Sequence, residues 1–454
     1  MRILLAVFIL VLSSCSVTKR LEKSAKQNVL QADALQTAHV GISVFEPATG
    51  KYWYNYQGDK YFVPASNTKI PTCYAAMKYL GDSLVGLRYE KQNGYINIAG
   101  TGDPTFLHPD FKKQPVFEFL KKQDGVSYPI DGFSPAFSAL GKGWPSDDYQ
   151  ESYAPERSEM PIYGNVARFC LQDDSLAVVP HLFYNSWLKS TNEGIRRGIA
   201  PWFQIVRSPY SNTFHAPHLS SVYRSGVKFS AQTVPFKTIV EKQFPLDDSF
   251  HDQVIIQLLG DTLKKKIGGW SYIHAKPFFK NFIHSQPTDS LLKPMMHRSD
   301  NFFAEQSLLM ASNEALGVMN DAKIIDTLLK TDFKDLPQKP RWVDGSGLSR
   351  YNLFTPQDFV VILNKMKNEF GMARIKEIFP TGGEGTLSSY YKKDSTFIYA
   401  KTGTLSGVVA LSGFLYTKEG KELIFSVLVN NHQASATDVR RAVERFIQGI
   451  RERY

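Results

Sequence analysis

The chain has 454 residues, 43% of them hydrophobic, 13% aromatic and 21% charged, which excludes an intrinsically disordered protein and leaves room for two or three cores. The formal net charge is +10. A basic balance suits nucleic acid, a membrane surface or a cell-wall polymer, but the Lys and Arg residues are scattered without a long run, the pattern of a solvated surface.

Arg2 precedes the apolar run Ile3–Leu12, a short positive region followed by a hydrophobic core. That pattern predicts an export signal, too short to span a membrane comfortably. Export in turn argues against a nucleic-acid partner. The run ends in Leu12-Ser13-Ser14-Cys15, which resembles a bacterial lipoprotein signal with Cys15 as the lipidated residue. Residues 1–15 are then a removed signal with its lipid site, and 16–29 a polar tether. Leu30 to Gln36 reads as helical. His39–Phe45 and Lys51–Tyr56 read as strands joined through a Pro/Gly turn.

Ser66-Asn67-Thr68-Lys69 follows Phe62-Val63-Pro64-Ala65. Apolar residues then recur at Ile70, Cys73, Met77 and Leu80, predicting a helix with one buried stripe that starts near Ser66. Residues three apart on a helix share a face, so Lys69 is placed to take a proton from the Ser66 hydroxyl. Decoys of the same spacing (Ser16 to Lys19, Ser225 to Lys228, Ser389 to Lys392) open no buried helix.

From 86 to 286 the chain shows short strand-like runs broken by Gly, Pro and Asn: Tyr95–Ala99, Val166–Leu171, Leu176–Val179, Val227–Gln232 and Val254–Leu259. This predicts a large, mostly β insertion. His215 and His218 lie in a loop, no Cys/His set has metal-site spacing, and no metal or other cofactor is expected. Cys73 and Cys170 could pair in an exported protein, although nothing in the sequence requires it.

Ser299-Asp300-Asn301 opens a helical run through Met310. Its hydroxyl can relay a proton and its amide can bind a peptide carbonyl; all three residue types also cap helices. Lys401-Thr402-Gly403-Thr404 ends a strand predicted from Thr396, with Gly403 where a substrate backbone could approach. Val408–Tyr416 and Glu422–Val429 read as further strands, and Thr437–Ile450 as a last helix with Val439, Val443, Phe446 and Ile450 inward. Both chain ends thus supply strands and helices for one antiparallel sheet.

S-x-x-K, S-D-N and K-T-G in this order are the motif set of penicillin-binding proteins and β-lactamases. The chain resembles the class C low-molecular-mass penicillin-binding proteins, which are serine D-Ala-D-Ala carboxypeptidases and endopeptidases. Pro64–Lys69, Gly100–Thr105, Asp344–Arg350 with Asn352 and Thr355-Pro356, Gly385–Leu387 and Lys401–Val408 carry the resemblance. The 230 positions from Lys69 to Ser299 leave room for the insertion typical of this class. Tyr390-Tyr391 departs from it, since the family often has Arg after the Gly-Thr-Leu stretch.

The resemblance implies an α+β fold: a five-stranded antiparallel sheet flanked by helices, the penicillin-binding/β-lactamase-like serine transpeptidase fold. A catalytic domain of residues 30–85 and 287–454 would be interrupted by the insertion. It implies Ser66, Lys69 and Ser299 as catalytic residues and Asn301, Lys401, Thr402, Gly403 and Thr404 as substrate-binding residues. Backbone amides of Ser66 and Thr404 would form the oxyanion hole. Partners would be peptidoglycan stem peptides, β-lactams as covalent inhibitors, and a membrane through the lipid, in the periplasm or cell envelope. A β-lactamase, which needs fast deacylation, and a non-catalytic wall-binding or β-lactam-sensing domain are the alternatives.

Overall fold

A computed structural model of the chain describes residues 17–92, 94–129, 136–172, 175–190, 204–216, 231–238, 253–270 and 279–454. Cys15 and the export signal, His218, and 227–230 of one expected strand lie outside these residues. The chain divides into two compact units: Met1–Lys78, Leu292–Ala304 and Asp321–Tyr454 form the first, Tyr79–Leu291 and Glu305–Asn320 the second.

In the first unit, residues 17–25 form helix α1, which passes into a π-helical turn Lys26–Leu30 and a 3-10 turn Asp33–Leu35. Leu21, Ala25 and Val29, four apart, are buried in the core of this unit. The expected tether over 16–29 is therefore a packed helix from residue 17 onward. Its Lys19, Arg20, Glu22 and Lys23 occupy only the exposed face, and that charge is what made the stretch look unstructured.

Strands β1 (His39–Glu46) and β2 (Lys51–Tyr56) form the expected hairpin. Helix α2 (Lys69–Tyr79) follows a 3-10 turn Ala65–Thr68, so Ser66 sits in the turn and the α-helix proper begins at Lys69. Residues 69–77 are buried on every side rather than along one stripe. Of helices α3 (Thr288–His297) and α4 (Asn301–Leu316) this unit holds the parts within Leu292–Ala304, whereas α5 (Asp321–Lys330) and α6 (Pro356–Ile378) belong to it whole. Thr355 caps α6: its hydroxyl accepts from Asp358 N at 3.1 Å, while its own N–H donates to the Asp358 carboxylate at 2.9 Å.

Strands β3 (Ile398–Leu405), β4 (Val408–Tyr416) and β5 (Glu422–Asn430) precede the last helix, α7 (Ala436–Arg453). The sheet order is β3-β4-β5-β1-β2, antiparallel throughout, with His39 opposite Asn430. β4 and β5 are buried almost without alternation because α6 packs on the sheet and α7 covers its other partners in the core. Val439, Val443, Phe446 and Ile450 face inward from α7, as their spacing predicts. The five-stranded antiparallel fold is as expected.

Among the described residues, the second unit has its own apolar core and three sheets. The largest is a five-stranded mixed sheet of Ser83–Gln92, Tyr95–Ala99, Gly125–Pro129, Ile267–Trp270 and Asn281–Pro287. Two three-stranded sheets accompany it, one built on Val166–Gln172 and Ser175–Val179 as expected. Val254–Leu259, expected as a strand, lies in the helix Gln253–Leu263. Val254, Ile255, Leu258, Leu259 and Leu263 are buried at helical spacing, which overrides the β preference of the Val-Ile-Ile run. Cys73 and Cys170 are both free thiols.

Candidate active site

All three motifs lie in the first unit. The approach to Ser66 is pinned to the sheet: Val63 N donates to the Asn430 side chain at 2.8 Å, and Asn430 donates back to Val63 O at 3.0 Å. Ala65 then turns with φ 46°, a conformation that a Cβ disfavours and that the surrounding contacts must hold. Thr68 Oγ1 closes the turn on Ala65 O at 2.9 Å. Ser66 is left half-buried, and its hydroxyl meets the fully buried Lys69.

Lys69 Nζ donates to Ser66 Oγ at 3.0 Å, to Asn301 Oδ1 at 2.6 Å and to Ser346 O at 2.7 Å. The last two are carbonyl oxygens, which can only accept. They occupy two N–H groups whether the lysine is charged or neutral. The third position of the nitrogen faces Ser66, as an N–H when charged and as a lone pair when neutral. The lysine can therefore take the hydroxyl proton without rearranging its other two bonds.

Ser299 lies between α3 and α4 with φ 61°. The capping role falls to Asp300, whose Oδ1 accepts from Phe303 N at 3.0 Å at the start of α4. Ser299 and Asn301 on either side are thereby available to the two lysines. Lys401 Nζ donates to Ser299 Oγ and to Thr402 O, both at 2.8 Å. Burial, and secondarily the charge of Lys69, pushes the Lys401 ammonium well below the usual lysine range.

The first and third motifs are joined as well. The Asn67 amide donates to Lys401 O at 2.8 Å and accepts from Ser412 Oγ at 2.7 Å. A Cβ on Gly403 would stand 2.7 Å from Pro64 O and 3.0 Å from Ser66 N. The glycine expected to admit a substrate backbone admits the backbone of the nucleophile's own turn. Thr402 Oγ1 donates to Thr386 Oγ1 at 2.7 Å, and exposed Thr404 accepts from Arg440 on α7.

Four contributors had no role legible in the sequence: Asn67 as a bridge, the Ser346 carbonyl, Thr386 and Arg440. Asn67 and Thr386 lie in stretches that carry the resemblance, as does Ser346 in the loop Asp344–Arg350, whereas Arg440 lies in none. Gly347 has φ 84°, and a Cβ there would fall 1.9 Å from Ala65 O, so the loop can lie against the nucleophile turn only with glycine. Asp344 shapes that loop, accepting from Gly347 N at 2.9 Å, Ser349 N at 2.7 Å and Asn352 Nδ2 at 2.7 Å. Among the described residues no cluster of three or more His, Cys, Asp or Glu could hold a metal ion, and no helix is long and apolar enough to cross a membrane.

The chain matches the D-Ala-D-Ala carboxypeptidase 3 (S13) family over residues 21–175 and 264–450, more than half its length. It belongs to this family. The enzyme is 30% identical to the D-alanyl-D-alanine carboxypeptidase DacB of Haemophilus influenzae, over 88% of this chain and 87% of that one. It is 26% identical to the D-alanyl-D-alanine carboxypeptidase of Actinomadura sp. (strain R39), over 90% of this chain and 80% of that one. Its fold is that of penicillin binding protein 4 (dacB) from Haemophilus influenzae, with a TM-score of 0.68 at 20% identity over 94% of this chain and 98% of the other. The enzyme is a serine-type D,D-peptidase acting on peptidoglycan, a low-molecular-mass penicillin-binding protein.

Proposed function

We propose that Ser66 carries the acyl group in a D-alanyl-D-alanine carboxypeptidase and D,D-endopeptidase reaction on stem peptides. One chemistry serves both activities, because a terminal D-alanine and a crosslink are held by the same D,D peptide bond. The observation that supports this reading most is the contact of Lys69 Nζ with the Ser66 hydroxyl at 3.0 Å, beside two carbonyl oxygens that can only accept.

Ser66 Oγ attacks the penultimate D-Ala carbonyl carbon as its proton passes to Lys69 Nζ. The oxyanion is held by the N–H groups of Ser66 and Thr404. As the C–N bond breaks, Ser299, polarised by Lys401, relays the proton taken up by Lys69 to the leaving amine, so that Lys69 is again neutral for the next step. Asn301 positions the substrate amide, while Thr402 and Thr404 receive the terminal carboxylate across Gly403. Water then attacks the ester, releasing the shortened peptide and regenerating the Ser66 hydroxyl.

Ser66→Ala abolishes D-alanine release from a synthetic peptide ending in D-Ala-D-Ala. Release at the wild-type rate would end the assignment. A crystal structure of the Haemophilus influenzae protein is complexed with a β-lactam. In this enzyme β-lactams acylate Ser66 in the same way, and the ester hydrolyses slowly.

The protein is exported and held in the periplasm or cell envelope by lipid on Cys15. Residues 17–25, close behind that cysteine in sequence, are already packed helix, so the lipid holds the first unit close to the bilayer. Its exposed Lys19, Arg20 and Lys23 suit anionic headgroups, the second signal that a lipid anchor needs for stable attachment. Cys15→Ser moves the protein from the membrane pellet to the soluble fraction. Unchanged fractionation would refute the anchor.

A further inference from the structure

In the reaction proposed above the Thr404 hydroxyl receives the substrate's terminal carboxylate, yet the cation of its own motif is turned away. Lys401 is fully buried and spends its bonds on Ser299 and on Thr402 O, both inside the site. Its depressed basicity further weakens it as a source of fixed charge. An anion arriving at Thr404 therefore needs a cation from another element.

Arg440 on α7 is that cation. Its Nη2 donates to Thr404 Oγ1. A hydroxyl accepting this bond keeps its own O–H to donate elsewhere. Arg440 also lines one small pocket together with Thr402 of the same motif. It is half-buried, and among the described residues no carboxylate pairs with it. Its neighbour Arg441 is committed differently, to Glu444 and to the face of Tyr390 at 4.5 Å. The Arg440 guanidinium lies farther over the same ring, at 6.0 Å, so the aromatic holds it without neutralising it. A guanidinium stays charged at every accessible pH and matches a carboxylate with two parallel N–H groups.

We propose that Arg440 is a further substrate-binding residue, which holds the free C-terminal carboxylate of the D-Ala-D-Ala peptide together with Thr404. The proposal rests on the Ser66 site described above. It predicts a preference for a peptide with a free acid end, which a terminal amide cannot satisfy.

The test compares a synthetic peptide ending in D-Ala-D-Ala with its C-terminal amide twin, using wild type, Arg440→Gln, Arg440→Lys and Ser66→Ala. Arg440→Gln lowers kcat/KM on the acid by about 10- to 100-fold, the loss expected for one hydrogen bond to a charged group. The loss appears in KM more than in kcat, the amide twin shifts far less, and Arg440→Lys recovers part of it. An equal loss on both peptides, or no loss on either, would overturn the proposal while leaving the Ser66 reading intact. Hydrolysis that persists in Ser66→Ala would overturn both.

Discussion

Lys69→Met lowers the rate of Ser66 acylation by roughly 10²- to 10⁴-fold, the contribution of a positioned general base. Lys69→Arg does nearly as much damage. The second variant makes the test sharp, because arginine restores positive charge and N–H donors to the site but cannot give up its proton. If Lys69 served only to hold Asn301 Oδ1 and Ser346 O in place, arginine would rescue much of the activity. If it takes the Ser66 proton, neither variant acylates well. The pre-steady-state rate of labelling by a fluorescent penicillin reads this step directly. Rapid labelling of Lys69→Arg would contradict the base assignment.

Lys401→Met is expected to separate activity from stability. Loss of the polarised Ser299 lowers turnover by about 10²-fold, the scale of one preorganised electrostatic contact, while the folded protein becomes more stable. Lys401 has its pKa depressed in the fold by burial and by Lys69. Between that depressed value and the ordinary lysine pKa of about 10.5, the unfolded chain binds a proton that the folded chain does not, so stability rises with pH through this window. Below the window the full penalty of the buried charge is present, and above it the penalty is gone. A methionine at 401 removes the penalty. The thermal midpoint of the variant then lies above wild type at neutral pH and lacks the alkaline rise. A lower midpoint at neutral pH would mean that the bonds to Ser299 and Thr402 outweigh the desolvation.

The reacting groups were legible because each sits in a contiguous tripeptide or tetrapeptide whose residue types suit acyl transfer. What joins them was not. Lys69 meets Asn301 across 232 positions, a relation that no local pattern carries. Ser346 contributes a backbone carbonyl, which has no residue type to notice. Arg440 looks like any exposed arginine on an amphipathic helix. The sheet was readable from short apolar and β-branched runs bounded by turn residues at both chain ends, whereas α1 was hidden by its charged outer face and the helix Gln253–Leu263 by β-branched residues. At Gly403 the glycine has a further reason that no local pattern shows: a Cβ there would meet the backbone of the nucleophile turn.

The measurement closest to the central claim is acid-quench trapping of the acyl-enzyme during turnover of a slowly deacylating D-Ala-D-Ala ester analogue, followed by peptide mapping. The acyl group is expected on the peptide containing Ser66, and on no peptide of Ser66→Ala. An acyl group on another residue, or steady turnover with no covalent species and undiminished activity in Ser66→Ala, would contradict the mechanism.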